Sequence, residues 1–304
     1  MLSFTITHHD HCRRLESYLR TLMPMSPFGY ARKLIKNGAA KMNGAPLSAD
    51  VLLHLHDTVT LKESAATTAH IAASRPDLDI LYEDSLILIA GKPSGLPMHR
   101  TAECAVNLVD VGQTYMINRA TPCKLYPINR LDRGTSGAVI LAKSSSSAAI
   151  YGRQVKEIGL DKLYLALAWG TLPQGGVINE PLDGKESETG FQTLLAGENC
   201  TLLAVTPISG RMHQIRRHLA SIGHPIMGDK RYGGGDVPEL PGFALHSFRT
   251  ALTLADSSKL SVCAPLPEEI LDLCARRGIE REKVLETVYR RALGEPEFIP
   301  QEEP

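Results

Sequence analysis

The stretch that decides the fold reads P-I-N-R-L-D-R-G-T-S-G over residues 127–137 and continues into the apolar run A-V-I-L-A over residues 138–142. Asp132 lies between Arg130 and Arg133 on a predicted loop that enters a buried strand. The two glycines of the run would let the backbone approach a ligand closely. A surface turn with an arginine–aspartate pair would explain the same residues. However, a carboxylate flanked by cations and hydrogen-bond donors stays ionised, which suits a nucleophile or a base.

A second unusual run covers residues 209–218 and reads S-G-R-M-H-Q-I-R-R-H. The spacing of His213, His218 and His224 is poor for a metal ion, because the first two lie on different helix faces and no carboxylate completes a ligand set. The start of a helix beside several arginines favours a phosphate or an RNA contact instead.

A third run reads K-L-Y-L-A-L-A-W-G over residues 162–170 and alternates loosely, as a strand does. Tyr164 fits plain core packing in such a strand. Its phenol would also be a stacking platform for a nucleobase that is turned out of RNA. The pattern leaves both interpretations open.

Length and composition restrict the class of protein. The chain has 304 residues, enough for about two domains. Its 43% hydrophobic and 22% charged residues are typical of a globular protein. No apolar run approaches the roughly 18 residues of a membrane span, and the first ten residues do not read as a signal peptide. The six scattered cysteines form no C-x-x-C pair. These features predict a cytoplasmic protein without membrane association and, by default, a monomer.

The net charge of zero conceals two basic segments. Residues 11–62 carry eight basic and three acidic side chains, a net charge of +5, and residues 205–235 carry a net charge of +4. Residues 255–304 are acidic, with a net charge of −4. Because salt screens fields beyond about 8–10 Å, local charge decides what a phosphate backbone experiences.

The order of elements predicts an α+β protein with a mostly antiparallel mixed sheet, since single strands alternate with helices and hairpins. A small α+β domain is expected over residues 1–65, with helices near residues 13–21 and 28–36. A small, polar linker would cover residues 66–78, a larger domain residues 79–265, and a helical tail, loose over its last ten or so residues, residues 266–304.

The second predicted helix of the first domain has a basic outer face. Arg32, Lys33 and Lys36 face outward, and Lys41 lies on the strand that follows. Such a face would hold RNA phosphates, although a solvated helix side would look the same.

Six ordered motifs over residues 80–250 resemble the RluA-type family of RNA pseudouridine synthases. The family pattern H-R-L-D-x-x-T-S-G is matched by N-R-L-D-R-G-T-S-G at residues 129–137. The other matches are Y-E-D with K-P-S-G-L (82–84, 92–96), K-L-Y-L-A (162–166), G-R-M-H-Q-I-R (210–216), H-P-I-M-G-D (224–229) and L-H-S (245–247). The first domain is similar to the alpha-L RNA-binding domain that often precedes this catalytic domain.

The resemblance implies a reaction that cuts the C1′–N1 bond of uridine, turns the base and joins C1′ to C5. The atoms balance, so no cofactor or metal is required. By analogy Asp132 is the catalytic carboxylate, which would either attack C1′ or remove the 2′ proton. Arg216 would pair with Asp132 and keep it ionised. Tyr164 would stack on the uracil and could carry the C5 proton, and Arg130 would fill the space of the extruded uridine or hold its phosphate.

The same motifs imply a wider set of substrate contacts, formed by Asn129, Arg130, Arg133, Thr135, Arg211, His213 and Gln214. The RNA is expected to be ribosomal or transfer RNA. The usual histidine of the first motif is Asn129 here, which cannot become cationic, so the role of that histidine is not carried over. Two other functions stay open: a non-catalytic RNA-binding protein on the same fold, and a hydrolase with an aspartate nucleophile that acts on a small nucleoside.

Overall fold

The computed structural model describes residues 1–6, 10–23, 26–27, 29–47, 49–72, 78–100, 106–119, 121–172 and 174–292. Its contacts divide the chain into two compact units. Unit 1 contains Met1–Ala90, Leu96–Arg130 and Val139–Ile158, and unit 2 contains Gly91–Gly95, Leu131–Ala138 and Gly159–Pro304. The chain passes between the units several times, so the units do not follow the domain boundaries expected from the sequence. Those boundaries stay a prediction, because compactness alone does not test where a domain begins.

The first part of unit 1 is a four-stranded sheet with order β1-β4-β2-β3 and three helices. Its elements are β1 (Leu2–Thr5), α1 (Leu15–Leu22), α2 (Tyr30–Lys36), β2 (Ala40–Met42), β3 (Ala45–Pro46), β4 (Thr58–Leu61) and α3 (Ala65–Ala72). The apolar stripes of α1 and α2 meet the sheet in a buried core that includes Tyr18 and Ile35. Glycine allows two chain reversals here: Gly38 follows the end of α2 with φ +63°, and Asn43–Gly44 form the left-handed turn between β2 and β3.

The predicted linker over residues 66–78 is wrong over its first half, because α3 is helical there. Four of the eight residues of this helix are alanine, and alanine is the best helix former. The Ser64 hydroxyl accepts a hydrogen bond from the backbone N–H of Thr67 at 3.1 Å and so satisfies the first turn. Tyr30 of α2 packs against His70 with 4.7 Å between ring centroids. Residues 73–77 of the predicted linker lie outside the described residues.

The rest of unit 1 surrounds strands of a larger sheet. Its elements are β5 (Asp79–Glu83), β6 (Ile87–Lys92), α4 (Leu108–Asn118), β7 (Tyr126–Pro127), β8 (Ser136–Ala142) and α5 (Ser145–Glu157), where β6 ends and β8 begins within unit 2. All seven residues of β8 are buried, as its unbroken apolar run predicts. The Ser144 hydroxyl caps α5 by accepting from the N–H of Ser147 at 3.0 Å.

Unit 2 is built on strands in the order β10-β11-β12-β9-β13-β8, with β14 beside β13. Its elements are β9 (Asp161–Trp169), β10 (Gly175–Ile178), β11 (Thr189–Gly197), β12 (Cys200–Pro207), α6 (Gln214–Ser221), a 3₁₀ turn (Lys230–Tyr232), β13 (Leu245–Thr253), β14 (Lys259–Cys263), α7 (Glu268–Arg276) and α8 (Arg281–Ala292). Neighbouring strands from β10 to β13 pair antiparallel, whereas β13 and β8 run parallel. The predicted α+β class with a mostly antiparallel sheet is confirmed.

The parallel pairing of β8 with β13 requires a glycine at position 137. Gly137 has φ +114°, and a Cβ atom there would lie 2.2 Å from the carbonyl oxygen of Ser247. One residue earlier, the Ser136 hydroxyl lies 2.9 Å from Nδ1 of His246, whose Nε2 faces the carbonyl of Ala264 at 3.1 Å. Nε2 therefore carries the proton, and the hydroxyl donates to Nδ1. Burial lowers the pKa of His246 to about 4, so the imidazole in this contact between the strands stays neutral at physiological pH.

Candidate active site

The loop that carries Asp132 is held through its backbone. The Lys92 ammonium, 1% exposed, donates to the carbonyl oxygens of Pro93 at 3.0 Å and Arg133 at 3.1 Å. The Ser94 hydroxyl donates to the carbonyl of Gly134 at 2.7 Å. Burial lowers the pKa of Lys92 to about 7, against the opposing attraction of the Asp132 charge. The K-P-S-G-L turn thus fixes the loop while the Asp132 side chain stays 28% exposed.

Arg216 joins Asp132 to a second carboxylate. Its Nη1 donates to Asp132 Oδ2 at 2.8 Å, while Nε and Nη2 donate to the two oxygens of Asp229 at 2.7 and 2.9 Å. The guanidinium lies 4.2 Å from the ring centroid of Phe243 and 4.9 Å from that of Tyr232. Burial opposes the charge of Arg216. The hydrogen bonds that Arg216 donates to Asp229 and Asp132 outweigh this effect and raise the pKa of the guanidinium. The predicted contact between Arg216 and Asp132 is present.

His213 faces the other oxygen of Asp132. Its Nε2 lies 3.7 Å from Asp132 Oδ1, and its Nδ1 lies 2.8 Å from the hydroxyl of Tyr232. The residue precedes α6 with φ +54° and ψ +28°, a left-handed conformation that is uncommon for a non-glycine residue. Burial lowers the pKa of His213, and Arg216 and Arg231 add to this effect. One oxygen of Asp132 is therefore bound by arginine, while the other faces a histidine beyond hydrogen-bond distance.

Tyr164 lies on β9 opposite Ser247 of β13 and is 7% exposed. Burial raises the pKa of its phenol to about 12, and the negative charge of Asp132 contributes to the same shift. The residue is therefore both a buried strand residue and a neighbour of the carboxylate. The structure places the predicted catalytic residues Asp132, Tyr164 and Arg216 in one part of unit 2.

Two of the predicted substrate-binding residues are buried: Gln214 has its side-chain amide engaged by the protein itself, and Thr135 has its backbone N–H engaged. Gln214 is 4% exposed; its Oε1 accepts from the N–H of Arg211 at 3.0 Å, and its Nε2 donates to the carbonyl of Glu188 at 2.8 Å. The backbone N–H of Thr135 donates to the carbonyl of Asp132 at 3.1 Å, and the side chain is 2% exposed. Both contacts shape the backbone beside Asp132 and His213, so substrate contact by these two side chains stays a prediction.

Arginines of the predicted set are exposed. Arg211 donates from Nε and Nη2 to the carbonyl of Glu186 at 3.2 Å, which leaves part of its fork facing solvent. Arg133 donates to the carbonyl of Gly95 at 3.1 Å, and Arg130 is exposed within unit 1.

Asn129 is 6% exposed in unit 1 and binds the strand that follows it. Its Oδ1 accepts from the backbone N–H of Ile140 at 2.8 Å. An amide can make this contact as a neutral side chain. The observed contact is therefore to the fold itself, and substrate contact by Asn129 stays a prediction.

The basic face of the first domain is placed as predicted. Arg32, Lys33 and Lys36 are exposed on α2, and Lys41 is half-buried on β2. Arg32 is bound by Glu16 through two hydrogen bonds of 3.1 and 3.2 Å. The three lysines form no ion pair with any described residue, so they carry the available charge of this face.

A second surface that carries cations is a groove of about 640 Å³ in unit 1, beside α1 and α4, whose wall also carries the carboxylates of Glu16, Asp50 and Asp110. Arg14, Arg20 and Lys124 line it. The Arg14 guanidinium donates to the carbonyl of Asp50 at 3.4 Å, and neither Arg14 nor Lys124 pairs with a carboxylate among the described residues. Burial lowers the pKa of Lys124, and the charges of Arg13 and Arg20 lower it further, as expected for crowded cations.

Four residues of the site were not assigned a role from the sequence. Asp229 comes directly before the 3₁₀ turn, and Tyr232 is its last residue. Phe243 precedes β13, and Lys92 ends β6. Asp229 and Lys92 belong to quoted motifs, so the signal was present, but letters in a motif do not say which side chains meet. Nothing in the local pattern predicts that the rings of Tyr232 and Phe243 pack on the Arg216 guanidinium, because these contacts join separate segments of the chain.

Within the described ranges, no cluster of three or more histidine, cysteine, aspartate or glutamate side chains could hold a metal ion. In the same part of the chain, no helix combines the length and the apolar character that crossing a membrane demands.

Comparison with known proteins identifies the family. The family described as RNA pseudouridylate synthase matches residues 86–221. An uncharacterized RNA pseudouridine synthase of Bacillus subtilis (strain 168) is 34% identical over 236 residues, which cover 71% of this chain and 77% of that protein. Ribosomal large subunit pseudouridine synthase C of Escherichia coli (strain K12) is 30% identical over 254 residues, covering 75% and 78% of the two chains.

Solved structures support the fold. The human protein described as RNA pseudouridylate synthase domain containing 4 aligns with a TM-score of 0.55 at 23% identity, covering 66% of this chain and 94% of that one. Its counterpart described as domain containing 1 aligns with a TM-score of 0.53 at 24% identity, covering 64% and 86%. The sequence relatives, the matching motifs and the assembled carboxylate site lead to one conclusion. The chain belongs to the RluA-type family of RNA pseudouridine synthases, and it is an isomerase that acts on uridine in RNA.

Proposed function

We propose that this isomerase converts specific uridines of large-subunit ribosomal RNA into pseudouridine, with Asp132 as its catalytic carboxylate. The choice of RNA rests on relatives such as the Escherichia coli ribosomal large subunit enzyme, which the chain matches over 78% of its length. The observation that carries the chemistry is the asymmetric environment of Asp132. Oδ2 is held by Arg216 at 2.8 Å, whereas Oδ1 is 3.7 Å from the nearest facing donor, His213.

Oδ1 is the oxygen that we assign to the reacting nucleotide. An oxygen held by a guanidinium has its lone pairs engaged and its direction fixed, so it is the poorer nucleophile or base of the two. A target nucleotide at Oδ1 would present either its anomeric carbon or its 2′ hydrogen. In both cases the C1′–N1 bond breaks with its electrons on the uracil. When the turned base forms the C1′–C5 bond, the ester bond between Oδ1 and C1′ breaks in the first case, and the proton held by Asp132 returns to C2′ in the second. The C5 hydrogen then leaves as a proton, and N1 takes up a proton from solvent.

Tyr164 is proposed to stack on the uracil as a neutral phenol. With a pKa of about 12, only about one molecule in 10⁵ would carry a phenolate at neutral pH. Removal of the C5 proton by a preformed phenolate is therefore costly. Stacking by contrast needs no ionisation and is worth about 1–3 kcal/mol per base, which helps to offset the unstacking of the extruded uridine.

Substrate RNA would be captured by the basic surfaces of unit 1. The lysines of the α2 face have no described carboxylate partner, and the same holds for Arg14 and Lys124 in the groove. Phosphate contacts of this kind give affinity and orientation without reading bases. Arg130, Arg133, Arg211 and His213 are proposed to contact the target nucleotide or its phosphates.

We also propose that the enzyme is a monomer and that it works in a reducing cytoplasm. Cys12, Cys123, Cys200, Cys263 and Cys274 are all free thiols, which suits a reducing compartment. Burial raises the pKa of Cys123 and Cys274 to about 12, so these two pack as inert thiols rather than as nucleophiles.

The test uses purified full-length enzyme with ribosomal and transfer RNA transcripts labelled with tritium at C5 of uridine. Because C1′ is joined to C5, each turnover should release one tritium into water, and we expect release from large-subunit ribosomal RNA. Free uracil is measured in the same samples. Binding without tritium release would indicate a non-catalytic RNA-binding protein, free uracil would indicate a hydrolase, and release from transfer RNA alone would refute the ribosomal substrate.

The basic face is tested by reversing two charges in Lys33→Glu/Lys36→Glu. We expect RNA binding about tenfold weaker at physiological salt, because log Kd depends on log salt in proportion to the phosphates neutralised. The slope of that dependence should fall by about one to two. Binding is measured by filter retention or anisotropy over a salt series.

The matched control is Arg153→Glu/Lys156→Glu. It makes the same change in net charge at two exposed cations three residues apart on α5. If both double variants lost the same affinity and slope, the effect would reflect net charge alone, and α2 would have no specific part in RNA capture.

A further inference from the structure

Tyr232 is a polar residue without an assigned role that contacts two neighbours of Asp132. It lies in the 3₁₀ turn that follows Asp229, and its hydroxyl is 2.8 Å from His213 Nδ1. Its ring stands edge-on to the imidazole, with 5.7 Å between centroids, and also lies 4.9 Å from the Arg216 guanidinium. One side chain therefore contacts both residues that face the two oxygens of Asp132.

The direction of the hydrogen bond between Tyr232 and His213 follows from Asp132. If Nδ1 donated to the phenol oxygen, the lone pair of Nε2 would face Oδ1 of the carboxylate at 3.7 Å, and two acceptors would oppose each other. If the phenol donates to Nδ1, Nε2 carries the hydrogen and faces the carboxylate favourably. The second arrangement is electrostatically preferred.

The charged groups around His213 favour the neutral ring overall. Asp132 and Asp229 attract a proton to the imidazole, whereas burial, Arg216 and Arg231 oppose protonation, and the pKa of His213 is lowered. A phenol that donates to Nδ1 also occupies the site where a second proton would bind. At 3.7 Å the Nε2–H is too far from Oδ1 for a hydrogen bond, and no other described residue accepts it.

We propose that Tyr232 is a positioning residue that holds His213 as the neutral Nε2–H tautomer, so that His213 donates a hydrogen bond to an oxygen of the target uridine at Asp132 Oδ1. The acceptor is an uncharged oxygen next to the anomeric carbon, either of the ribose or of the uracil. A protonated His213 would instead form an ion pair with Oδ1 and withdraw the reacting oxygen. This inference rests on the proposed function, since it concerns the nucleotide that Asp132 attacks.

The first test is Tyr232→Phe, which removes the hydroxyl but keeps the ring beside Arg216. Loss of one hydrogen bond to a positioned group corresponds to about a tenfold fall in kcat/KM for pseudouridine formation. Without the donor at Nδ1 the pKa of His213 should rise, so the acid limb of the pH–rate profile should move to higher pH. Tyr289→Phe, at a 40% exposed tyrosine packed on Phe248, is the matched control and should behave as wild type.

Rate and tautomer are then measured independently. His213→Gln keeps an N–H donor but cannot depend on Tyr232, so adding Tyr232→Phe to His213→Gln should cause no further loss. Nitrogen NMR of wild-type enzyme with labelled histidine, assigned through His213→Gln, should show a hydrogen on Nε2 and none on Nδ1. A hydrogen on Nδ1, independent losses in the double variant, or an unchanged rate and pH profile in Tyr232→Phe would each overturn the inference.

The acceptor is identified with RNA that carries 2′-deoxyuridine or 2-thiouridine at the converted position. With each RNA, the affinity of the wild type is divided by the affinity of Tyr232→Phe. This ratio should fall to one with the deoxy RNA if the ribose hydroxyl accepts the hydrogen bond. It should shrink with the thio RNA if the uracil carbonyl accepts it. A ratio that is unchanged on both RNAs would overturn the proposed contact. Wild-type tritium release is the reference throughout: its absence would refute the proposed function, whereas its presence with wild-type behaviour of Tyr232→Phe would refute only the role of Tyr232.

Discussion

Asp132→Asn should abolish pseudouridine formation, with a loss of at least about 10⁴-fold in kcat, while RNA affinity changes by no more than a few-fold. The amide is nearly the same size as the carboxylate, and its oxygen can still accept from Arg216. It lacks the negative charge that attack on C1′ or removal of the 2′ proton requires. Tritium release at saturating RNA measures turnover, and filter retention measures affinity.

The matched control is Asp161→Asn. Asp161 is also bound by an arginine, because Arg249 Nη2 donates to both of its oxygens at 3.0 Å, but the pair is exposed at the start of β9. This variant should turn over RNA as wild type does. A parallel loss of RNA binding and thermal stability in Asp132→Asn would mean that Asp132 is structural, and residual turnover within about tenfold of wild type would exclude it as the catalytic group.

Arg216→Met should have the second largest effect, because it removes the partner of two carboxylates at once. Asp229 is 1% exposed and would be left buried with a charge and no partner. Breaking a buried pair in this way costs about 3–5 kcal/mol. We expect a clear fall in the free energy of unfolding together with a loss of turnover of about 10³-fold or more, measured by thermal denaturation and tritium release.

A second variant separates stability from catalysis at this residue. In Arg216→Met/Asp229→Asn the buried negative charge is gone, so much of the lost stability should return. Turnover should not return, because Asp132 still lacks the guanidinium that orients it. Recovery of both properties would show that Arg216 acts only through packing of Asp229, and recovery of neither would point to a wider collapse of the segment between α6 and β13.

The fold was predictable where local pattern decides structure. The five apolar residues 138–142 of β8, the Asn43–Gly44 turn and the Ser144 cap each contain their own signal in the local sequence. Strands β10 and β13 were missed for opposite reasons. β10 reads G-G-V-I with three exposed residues, and β13 begins with four consecutive buried residues, two of them polar, so neither begins with the alternation of a half-buried strand. Their pairing is decided by distant strands.

The site was predictable only as far as motifs extend. The contact of Arg216 with Asp132 follows from two motifs and is present at 2.8 Å. The motifs could not show that the Gln214 amide is bound by neighbouring backbone groups, nor that the Tyr232 ring packs on the Arg216 guanidinium. Those contacts depend on how segments far apart in sequence meet, which a one-dimensional pattern does not contain. The catalytic and RNA-binding roles of the predicted residues stay predictions.

The enclosure of the Arg216 guanidinium has a consequence for how ionic strength acts on this enzyme. The Arg216 side chain is 7% exposed and lies against two aromatic rings, so dissolved ions have little access to the guanidinium that binds Asp132. The lysines of the α2 face are exposed, so dissolved ions screen their charges. Added potassium chloride should therefore slow the enzyme at dilute transcript, where capture limits the rate, and leave the maximal velocity nearly untouched once the transcript is abundant.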